Sequence, residues 1–393
     1  MINKIKELAS EHIDEIIAIR RHIHKHPELS FEEYETSKFI QSKLTEWGIE
    51  FENGFVNTGI VAHIRGNNPD SKIIALRADI DALPIQEEND FDFASVNKGV
   101  MHACGHDVHS SSLLGVIKIL DGLKSEFEGT VKCVFQPAEE ILPGGASLMI
   151  KEGALENPKP ETIYGQHVYP DLPAGKIGMK PGMYMASTDE LHVKVIGKGG
   201  HGALPHTFVD PVLISAHILV ALQQIVSRHA RPDIPSVLSF GKVEAKGSTN
   251  VIPDEVHMAG TFRTFNEEWR AEAKEKMVKM AETIAESMGG KCEFEARKGY
   301  PFLVNDYDAT VFAKEAAVEF VGKENVVDLN LRMTGEDFAY YTQMMPGCFY
   351  RLGTAHPGTK AAGLHTSKFN VDESSIEIGM GLMAWIALKN LSA

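Results

Sequence analysis

Residues 1–184 alternate between segments with a helical spacing of apolar residues and short, compact apolar runs. The helical spacing occurs at 13–26, 32–47 and 110–123, where apolar residues recur every three to four positions. The compact runs, which we predict to be strands, are 60–64, 73–76, 131–135 and 162–164. Strands that alternate with helices predict an open α/β sheet with helices on both faces.

Residues 185–301 follow a different pattern. Alternation predicts strands at 187–196, 236–243, 255–264 and 291–297, and helical spacing predicts helices at 210–228 and 266–288. The order β-α-β-β-α-β is that of a ferredoxin-like sandwich. From residue 302 the α/β pattern resumes, with a helix at 308–320, a strand at 348–352 and a helix at 374–391. We therefore expect one α/β domain made of 1–184 and 302–393, with 185–301 inserted as a smaller α+β domain.

Polar residues of chemical interest follow the predicted strands. Asp79 and Asp81 come after one strand, Glu139 and Glu140 after another, and His167 after a third. Ligands of open α/β sheets collect beyond the carboxyl ends of the strands. We therefore expect the polar residues that follow these three strands to meet at one edge of the sheet.

The segment MHACGHD, residues 101–107, places Cys104 and His106 on either side of a glycine. A buried thiol beside a surface histidine is the common reading of such a pair. Gly105, however, permits a tight turn that brings both side chains to one point. Thiolate, imidazole and carboxylate together form a transition-metal ligand set, for which Zn²⁺ is the usual ion.

The adjacent pair Glu139-Glu140 is open to two interpretations. In the first, both side chains are solvated surface carboxylates. In the second, one carboxylate binds a metal and the other transfers a proton. His167 and His365 are single histidines, each of which alone is more often structural than a ligand.

Charge and cysteine content narrow the class of protein. The chain has 39 basic and 54 acidic residues, a formal charge of −15. Such a surface disfavours nucleic acid and anionic membranes. No window reaches the ~18 apolar residues of a membrane span, and the N-terminus lacks a signal-peptide core. The four cysteines are scattered, which favours a reducing cytoplasm.

In the inserted segment, a glycine-rich stretch surrounds His201. No Lys-Ser/Thr follows it, so a phosphate cradle is disfavoured, and a flexible loop that presents His201 to a substrate fits better. Asn250 is a further polar candidate. Arg263 is either surface charge or a residue for bidentate carboxylate recognition.

These motifs together resemble the amidohydrolase branch of the co-catalytic metallopeptidases, which includes hippurate hydrolase, N-acyl-amino-acid amidohydrolases, N-acetyldiaminopimelate deacetylase and plant hydrolases of indole-acetyl amino acids. The resemblance spans nearly the whole chain. Its motifs are RRHIHKHPELSFEE at 20–33, LRADIDALPI at 76–85, MHACGHDVH at 101–109, FQPAEE at 135–140, GQHV at 165–168, GKGGHGALPH at 197–206, NVIPD at 250–254, GTFR at 260–263, TGEDF at 334–338 and GLHTS at 363–367.

The resemblance implies a role for each candidate residue. The ligands of a two-metal site would be Cys104, His106, Glu140, His167 and His365. Glu139 would be the general base, and Asp81 would orient the site. Asn250 and Arg263 would bind substrate, while His201 would stabilise the oxyanion, across a dimer in relatives.

The resemblance also implies fold, cofactors and partners. We expect a metallopeptidase-type α/β catalytic domain with an inserted ferredoxin-like lid and dimerisation domain. Two divalent ions would be bound, Zn²⁺ first, with Mn²⁺, Co²⁺ or Ni²⁺ also accepted. The substrate would be an N-acyl amino acid or a short peptide, and the protein a homodimer or higher homo-oligomer. The alternatives are a carboxypeptidase or dipeptidase on the same scaffold, and a non-catalytic metal or amino-acid binding module.

Overall fold

The computed structural model describes residues 1–356, 358 and 362–392. The chain forms two compact units. Unit 1 consists of Met1–Tyr184, Val304–Asn330 and Asp337–Ala393, and unit 2 of Met185–Leu303 and Leu331–Glu336.

The α-helices of the described residues, in chain order, are α1 Ile2–Lys25, α2 Tyr34–Glu46, α3 His106–Gly122, α4 Gly145–Lys151, α5 Pro211–Gln224, α6 Glu267–Ser287, α7 Tyr307–Val321, α8 Ala339–Thr342 and α9 Ser374–Leu391. The strands are β1 Glu50–Phe55, β2 Gly59–Arg65, β3 Ile73–Asp79, β4 Thr130–Gln136, β5 Thr162–Pro173, β6 Ile177–Met179, β7 Gly182–Met185, β8 Asp189–Ile196, β9 Gly200–His201, β10 Ser236–Ala245, β11 Val251–Ile252, β12 Glu255–Thr264, β13 Lys291–Lys298, β14 Leu303–Asn305, β15 Val326–Asp328 and β16 Gly347–Ala355.

Unit 1 is built on an eight-stranded sheet in the order β1-β2-β4-β3-β5-β16-β6-β15. Its centre is parallel, since β3 pairs in parallel with β4 and β5, and β5 with β16. The edge strand β1 pairs antiparallel with β2, which in turn pairs antiparallel with β4. Strands β2, β3 and β4 are buried almost throughout, because helices cover a largely parallel sheet. The predicted fold class is confirmed.

The helices α1, α3 and α9 pack on one another and share the main apolar core of unit 1. Nearly every residue of α3 from His106 to Leu120 is buried, so all faces of this helix are packed inside the unit. The first turn of α3 is therefore held rigidly, which matters because it carries His106.

Unit 2 is the predicted ferredoxin-like sandwich. Its elements follow as β8-α5-β10-β12-α6-β13, and its sheet is antiparallel in the order β10-β12-β8-β13. Both helices begin at capping residues that the sequence displays. The Asp210 side chain accepts from the Val212 amide at 2.9 Å, and Asn266 accepts from the Trp269 amide at 2.8 Å.

The stretch Pro211–His229, which extends α5 by a π-helical turn, is long and apolar enough to cross a membrane by length and composition. Its mean hydropathy is 1.3, and 33% of it is buried. A single such helix is weak support for a membrane span, because an apolar helix that packs on a protein core passes the same test.

Candidate metal centre

The polar residues that follow strands β3 and β4 lie at one edge of the unit 1 sheet. β3 ends at Asp79 and β4 at Gln136, and Glu139 and Glu140 follow β4 directly. Because the two strands are parallel neighbours, their carboxyl ends meet at this edge. The convergence predicted from sequence is present.

His167 reaches the same edge in a different way from the one the sequence indicated. It lies within β5 and not after it, because this strand continues to Pro173. The short apolar run at 162–164 marks only the beginning of β5. The rest of β5 is held by its pairing with β16, and the apolar run alone does not reveal this pairing.

The turn at Gly105 joins Cys104 to His106, the first residue of α3. Gly105 has a φ of 83°, in the left-handed region that glycine tolerates best. A Cβ at this position would lie 2.4 Å from Cγ2 of Val168, so a side chain does not fit. Conformation and space together require glycine at this turn, which aims Cys104 and His106 at one point.

The structure brings the five candidate ligands together. The Cys104 Sγ lies 3.4 Å from Nε2 of His167 and 3.3 Å from Nε2 of His365. The Glu140 Oε1 lies 3.2 Å from Nε2 of His365 and 3.9 Å from Nε2 of His106. The candidate ligand atoms form overlapping groups of three that lie within 4.8 Å of one another, close enough to share a metal ion; the groups are Cys104, His106 and His167, then Cys104, Glu140 and His365.

The outer nitrogens of two of these imidazoles are already engaged. The His106 Nδ1 lies 2.9 Å from the Asp81 carbonyl and 3.1 Å from its Oδ1, and the His167 Nδ1 lies 2.8 Å from the Val168 carbonyl. Both partners only accept, so each Nδ1 carries the proton. When the ring is neutral, each Nε2 therefore presents a lone pair towards the cluster, which is the tautomer that a metal ligand needs.

Two buried atoms of the cluster make no hydrogen bond within the described residues. They are Nε2 of His106 and Oε1 of Glu140. Buried polar atoms are almost always paired, so an unsatisfied imidazole nitrogen 3.9 Å from a carboxylate oxygen fits a bound cation.

The charge of the site also fits a cation. Burial alone would lower the pKa of His106, but the carboxylates of Asp79 and Asp81 raise it overall, to about 10. Burial and the carboxylates of Glu140 and Glu139 raise the pKa of the Cys104 thiol well above its usual value. The protein therefore surrounds these residues with excess negative charge, which divalent ions would neutralise.

Asp79 lies at the edge of the centre, where its Oδ2 is 3.7 Å from Nε2 of His106, and both of its oxygens accept hydrogen bonds. Its Oδ1 accepts from Nδ1 of His109 at 2.6 Å, and its Oδ2 from Nη1 of Arg77 at 2.6 Å. The His109 Nε2 accepts from the Val168 amide at 2.9 Å, which fixes β5 beside His167. His109 thus links Asp79 to β5.

His365 differs from the other imidazoles in its exposure. Its side chain is 51% exposed, and its backbone has a φ of 59°, which is uncommon for a residue other than glycine. Its amide donates to the Ala103 carbonyl at 2.8 Å, so the segment that carries it is tied to the Cys104 turn.

Glu139 is buried and lies beside the cluster. One oxygen of Glu139 is within 4.8 Å of ligand atoms of His106 and Glu140. A carboxylate beside these candidate ligands is of the residue type that moves protons in hydrolases.

The candidate substrate residues lie in unit 2. His201 belongs to the short strand β9, whose partner is Val251 in β11, and it is exposed. Asn250 is exposed next to it, and the Asn250 carbonyl accepts from the Gly202 amide at 2.9 Å. The predicted flexible loop is therefore a small paired element at His201. Gly199 serves close packing there, since a Cβ would lie 2.6 Å from the Ile252 carbonyl oxygen.

Arg263 lies on β12, and it is half-buried. Its Nε donates to Oγ1 of Thr261 at 2.9 Å. Burial lowers the pKa of its guanidinium. Among the described residues no carboxylate forms an ion pair with it.

Sequence reasoning missed several buried polar residues that hold the centre. Arg77 donates from Nη2 to Asp337 at 2.8 Å and from Nε to Gln136 at 2.8 Å. Asp337 also accepts from the amide of Ala146, at 3.0 Å. A charged residue inside the apolar run of β3 was the available indication of Arg77. Nothing local marked Asp337, because its partners are distant in sequence.

A comparison with known families and structures decides the class of protein. The model of peptidase family M20/M25/M40 matches residues 75–389. The chain belongs to this M20 family. It is a hydrolase that acts on amide bonds, as the resemblance implied.

Relatives of the chain include both amidohydrolases and peptidases. The N-acyl-L-amino acid amidohydrolase of Geobacillus stearothermophilus is 43% identical over 305 residues, which are 78% of this chain and 81% of the relative. Thermostable carboxypeptidase 2 of Saccharolobus solfataricus is 38% identical over 393 residues, 99% and 98% of the two chains. The solved YXEP protein of Bacillus subtilis, a dinuclear metal binding peptidase from the M20 family, is 38% identical with a TM-score of 0.82 over 98% and 99% of the chains.

Proposed function

We propose that this M20 hydrolase is a metal-dependent amidohydrolase that cleaves N-acyl amino acids into a carboxylate and an amine. The observation that carries the proposal is the position of Glu139. A buried carboxylate that is adjacent in sequence to the candidate ligand Glu140, and close to it in space, suits general-base catalysis.

The proposed metal ligands are Cys104, His106, Glu140, His167 and His365. The thiol favours Zn²⁺, while the imidazole and carboxylate ligands also suit Mn²⁺, Co²⁺ and Ni²⁺. When bound, two divalent ions would supply Lewis acidity that lowers the pKa of a water molecule and polarises the amide carbonyl.

Glu139 would take a proton from the attacking water and pass it to the nitrogen of the leaving amine. Asp81 would keep His106 in the tautomer whose Nε2 is free, because its carboxylate accepts from Nδ1. The two residues thus have separate tasks, one in proton transfer and one in orientation.

Unit 2 would supply substrate recognition. His201 would donate to the oxyanion, Arg263 would bind the substrate α-carboxylate, and Asn250 would contact the substrate. The exposure of His201 and Asn250, and the lack of an ion pair at Arg263 among the described residues, leave these groups available for such contacts.

The adjacent glutamates offer a matched pair of variants to test the proposal. Glu139→Gln should keep its metal, and its kcat should fall by roughly 10²–10⁴-fold, the usual contribution of a general base. Glu140→Gln should instead lower the metal content. Metal analysis and steady-state kinetics on both proteins are the measurements, and the reverse pattern would exchange the two roles.

A carboxypeptidase or dipeptidase activity is the second candidate, and the similarity to thermostable carboxypeptidase 2 favours it. Both activities hydrolyse an amide bond in the same way, and they differ only in the acyl group of the substrate. A panel of benzoyl-glycine, N-acetyl amino acids and Gly-X dipeptides separates the two functions. Higher kcat/KM on the dipeptides would replace our proposal.

We also propose that the protein is a homodimer in which unit 2 mediates the contact. The helix α5 exposes Leu213 and Val220, and β10 is a ten-residue strand at the edge of its sheet. Mixing His201→Ala with Glu139→Gln protein tests whether His201 acts across subunits. Recovered activity supports it, whereas no recovery in mixtures shown to exchange subunits excludes it. The cytoplasmic location indicated by the scattered cysteines stays a prediction.

A further inference from the structure

Glu33 is a fully buried carboxylate that holds three separate segments of unit 1. Its Oε1 accepts from the amide of Ala138 at 2.8 Å and from that of Phe31 at 3.0 Å. Its Oε2 accepts from Oγ1 of Thr58 at 2.9 Å. Glu33 is 0% exposed, although it stands at the N-terminus of α2, where glutamates are usually solvated.

Ala138 is the residue just before Glu139, and its backbone is unusual. It has a φ of 53°, a left-handed conformation that alanine seldom adopts. Its carbonyl accepts from the Gly145 amide at 2.8 Å, so both polar groups of this residue are used. The contact from Glu33 therefore helps to hold a backbone conformation that alanine does not favour.

A second carboxylate holds the other side of Glu139. The amide of Glu140 donates to Oδ2 of Asp81 at 3.0 Å. Glu139 is thus flanked by two backbone amides, each fixed by a buried carboxylate. With both neighbours fixed, the direction in which the Glu139 side chain leaves the backbone is fixed as well.

We propose that Glu33 is a positioning residue for Glu139, which it directs into the metal centre through the Ala138 amide. This inference rests on the proposed role of Glu139 as the base. Glu33 itself is not placed among the proposed ligands or substrate contacts, so it would act only through the turn that it holds.

The protonation of Glu33 does not remove the contact. Burial and the neighbouring Asp81 raise the pKa of Glu33 to about 7. When protonated on Oε2, the carboxyl group can donate to Thr58 while Oε1 still accepts from Ala138. A glutamine can do the same, so Glu33→Gln should preserve the positioning.

The test compares three Glu33 variants of the metal-loaded enzyme with wild type. Glu33→Ala should lower kcat by about 10–100-fold, since a displacement of about 1 Å of a reacting group costs up to about 10²-fold. KM and metal content should stay within about twofold of wild type, because binding groups are unaffected. Glu33→Gln should keep kcat within about fivefold and leave the pH profile unchanged. Glu33→Asp, a milder change if the alanine variant is poorly folded, should give an intermediate kcat.

Glu28→Ala is the matched structural control. The Glu28 carboxylate also holds the first turn of α2, with Oε2 2.8 Å from the Thr36 amide, but it does not contact Ala138. It should lower the thermal midpoint without lowering kcat. Equal loss of kcat in Glu28→Ala and Glu33→Ala would overturn the positioning role in favour of a structural one. A shifted pH profile in Glu33→Gln would mean that Glu33 itself transfers protons.

A double-mutant cycle separates this inference from the proposed function. If Glu33 acts through Glu139, Glu33→Ala should have little further effect in the Glu139→Gln background. Additive losses would overturn the positioning role. Full activity of Glu139→Gln alone would instead overturn the assignment of the base.

Discussion

The substitution Asp81→Asn probes how the protein controls the tautomer of His106. The Asp81 carboxylate accepts three hydrogen bonds. They come from Oγ of Ser30 at 2.6 Å, from the Glu140 amide at 3.0 Å and from Nδ1 of His106 at 3.1 Å. Burial opposes ionisation, but hydrogen bonds from His106 and Ser30 lower the pKa of Asp81 overall, so it is ionised at neutral pH.

The expected loss follows from these three contacts. An asparagine oxygen can replace Oδ2, which serves Ser30 and Glu140. The amide nitrogen must then face Nδ1 of His106, where two donors would meet. A hydrogen bond to a charged group is worth about 1.5–3 kcal/mol, and partners of metal ligands change metal affinity by about 10–100-fold. We therefore expect Asp81→Asn to bind metal about 10–100-fold more weakly.

The assay is a titration of metal in competition with a chelator of known affinity, together with kcat at saturating metal. Ser30→Ala is the control, since it removes one neutral donor from the same carboxylate and should change the affinity by less than about tenfold. Unchanged metal affinity in a folded Asp81→Asn protein would refute the proposed control of His106.

Four further predictions concern other parts of the molecule. Removal of metal by a chelator should abolish activity, and a divalent ion should restore it; full activity in metal-free protein would contradict the proposed mechanism. His201→Ala should lower kcat by about 10²–10³-fold, the usual cost of one oxyanion donor, with metal content unchanged; kcat near that of wild type would make His201 a surface residue. Arg263→Ala should raise KM for free-acid substrates by about 10–100-fold and affect the corresponding amides little; an equal loss on both would make it structural. The pKa of Glu33 is raised from 4.5 to about 7 in the native state. Between these two pH values the native protein, freed of metal by a chelator, keeps a proton on Glu33 that the unfolded chain has released. The free energy of unfolding should therefore fall as the pH rises through this range. Urea unfolding of Glu33→Gln at several pH values should show a flatter dependence, and an identical slope would contradict the raised pKa.

Much of the fold is encoded in local patterns. The apolar runs at 73–76 and 131–135 are the cores of β3 and β4, and the predicted helix at 374–391 has the same bounds as α9. Asn266 marks the start of α6 because its side chain caps that helix. These features need only the spacing of apolar residues and the chemistry of helix ends, and both are read within a few residues of chain.

The candidate centre was accessible from sequence where residue type and position carry the chemistry. Cys104 and His106 flank a glycine that the turn requires, and Glu139-Glu140 follows a buried strand. Parallel pairing of β3 and β4 brings the residues that follow these two strands to one edge of the sheet, as the alternation of strands and helices in the sequence suggested.

Only the tertiary structure decided which polar residues are buried and what they hold. Glu33 has the sequence context of a solvated helix-end glutamate, yet it is buried and holds the Ala138 amide 105 positions away. Arg77 is fixed by Asp337, 260 positions away in sequence. Local sequence specifies that a side chain is polar, but its burial and its partner depend on which distant segments fold against it. For that reason the sequence determined the elements and the candidate ligand types of this protein, whereas the buried contacts that orient those residues became visible only in the folded chain.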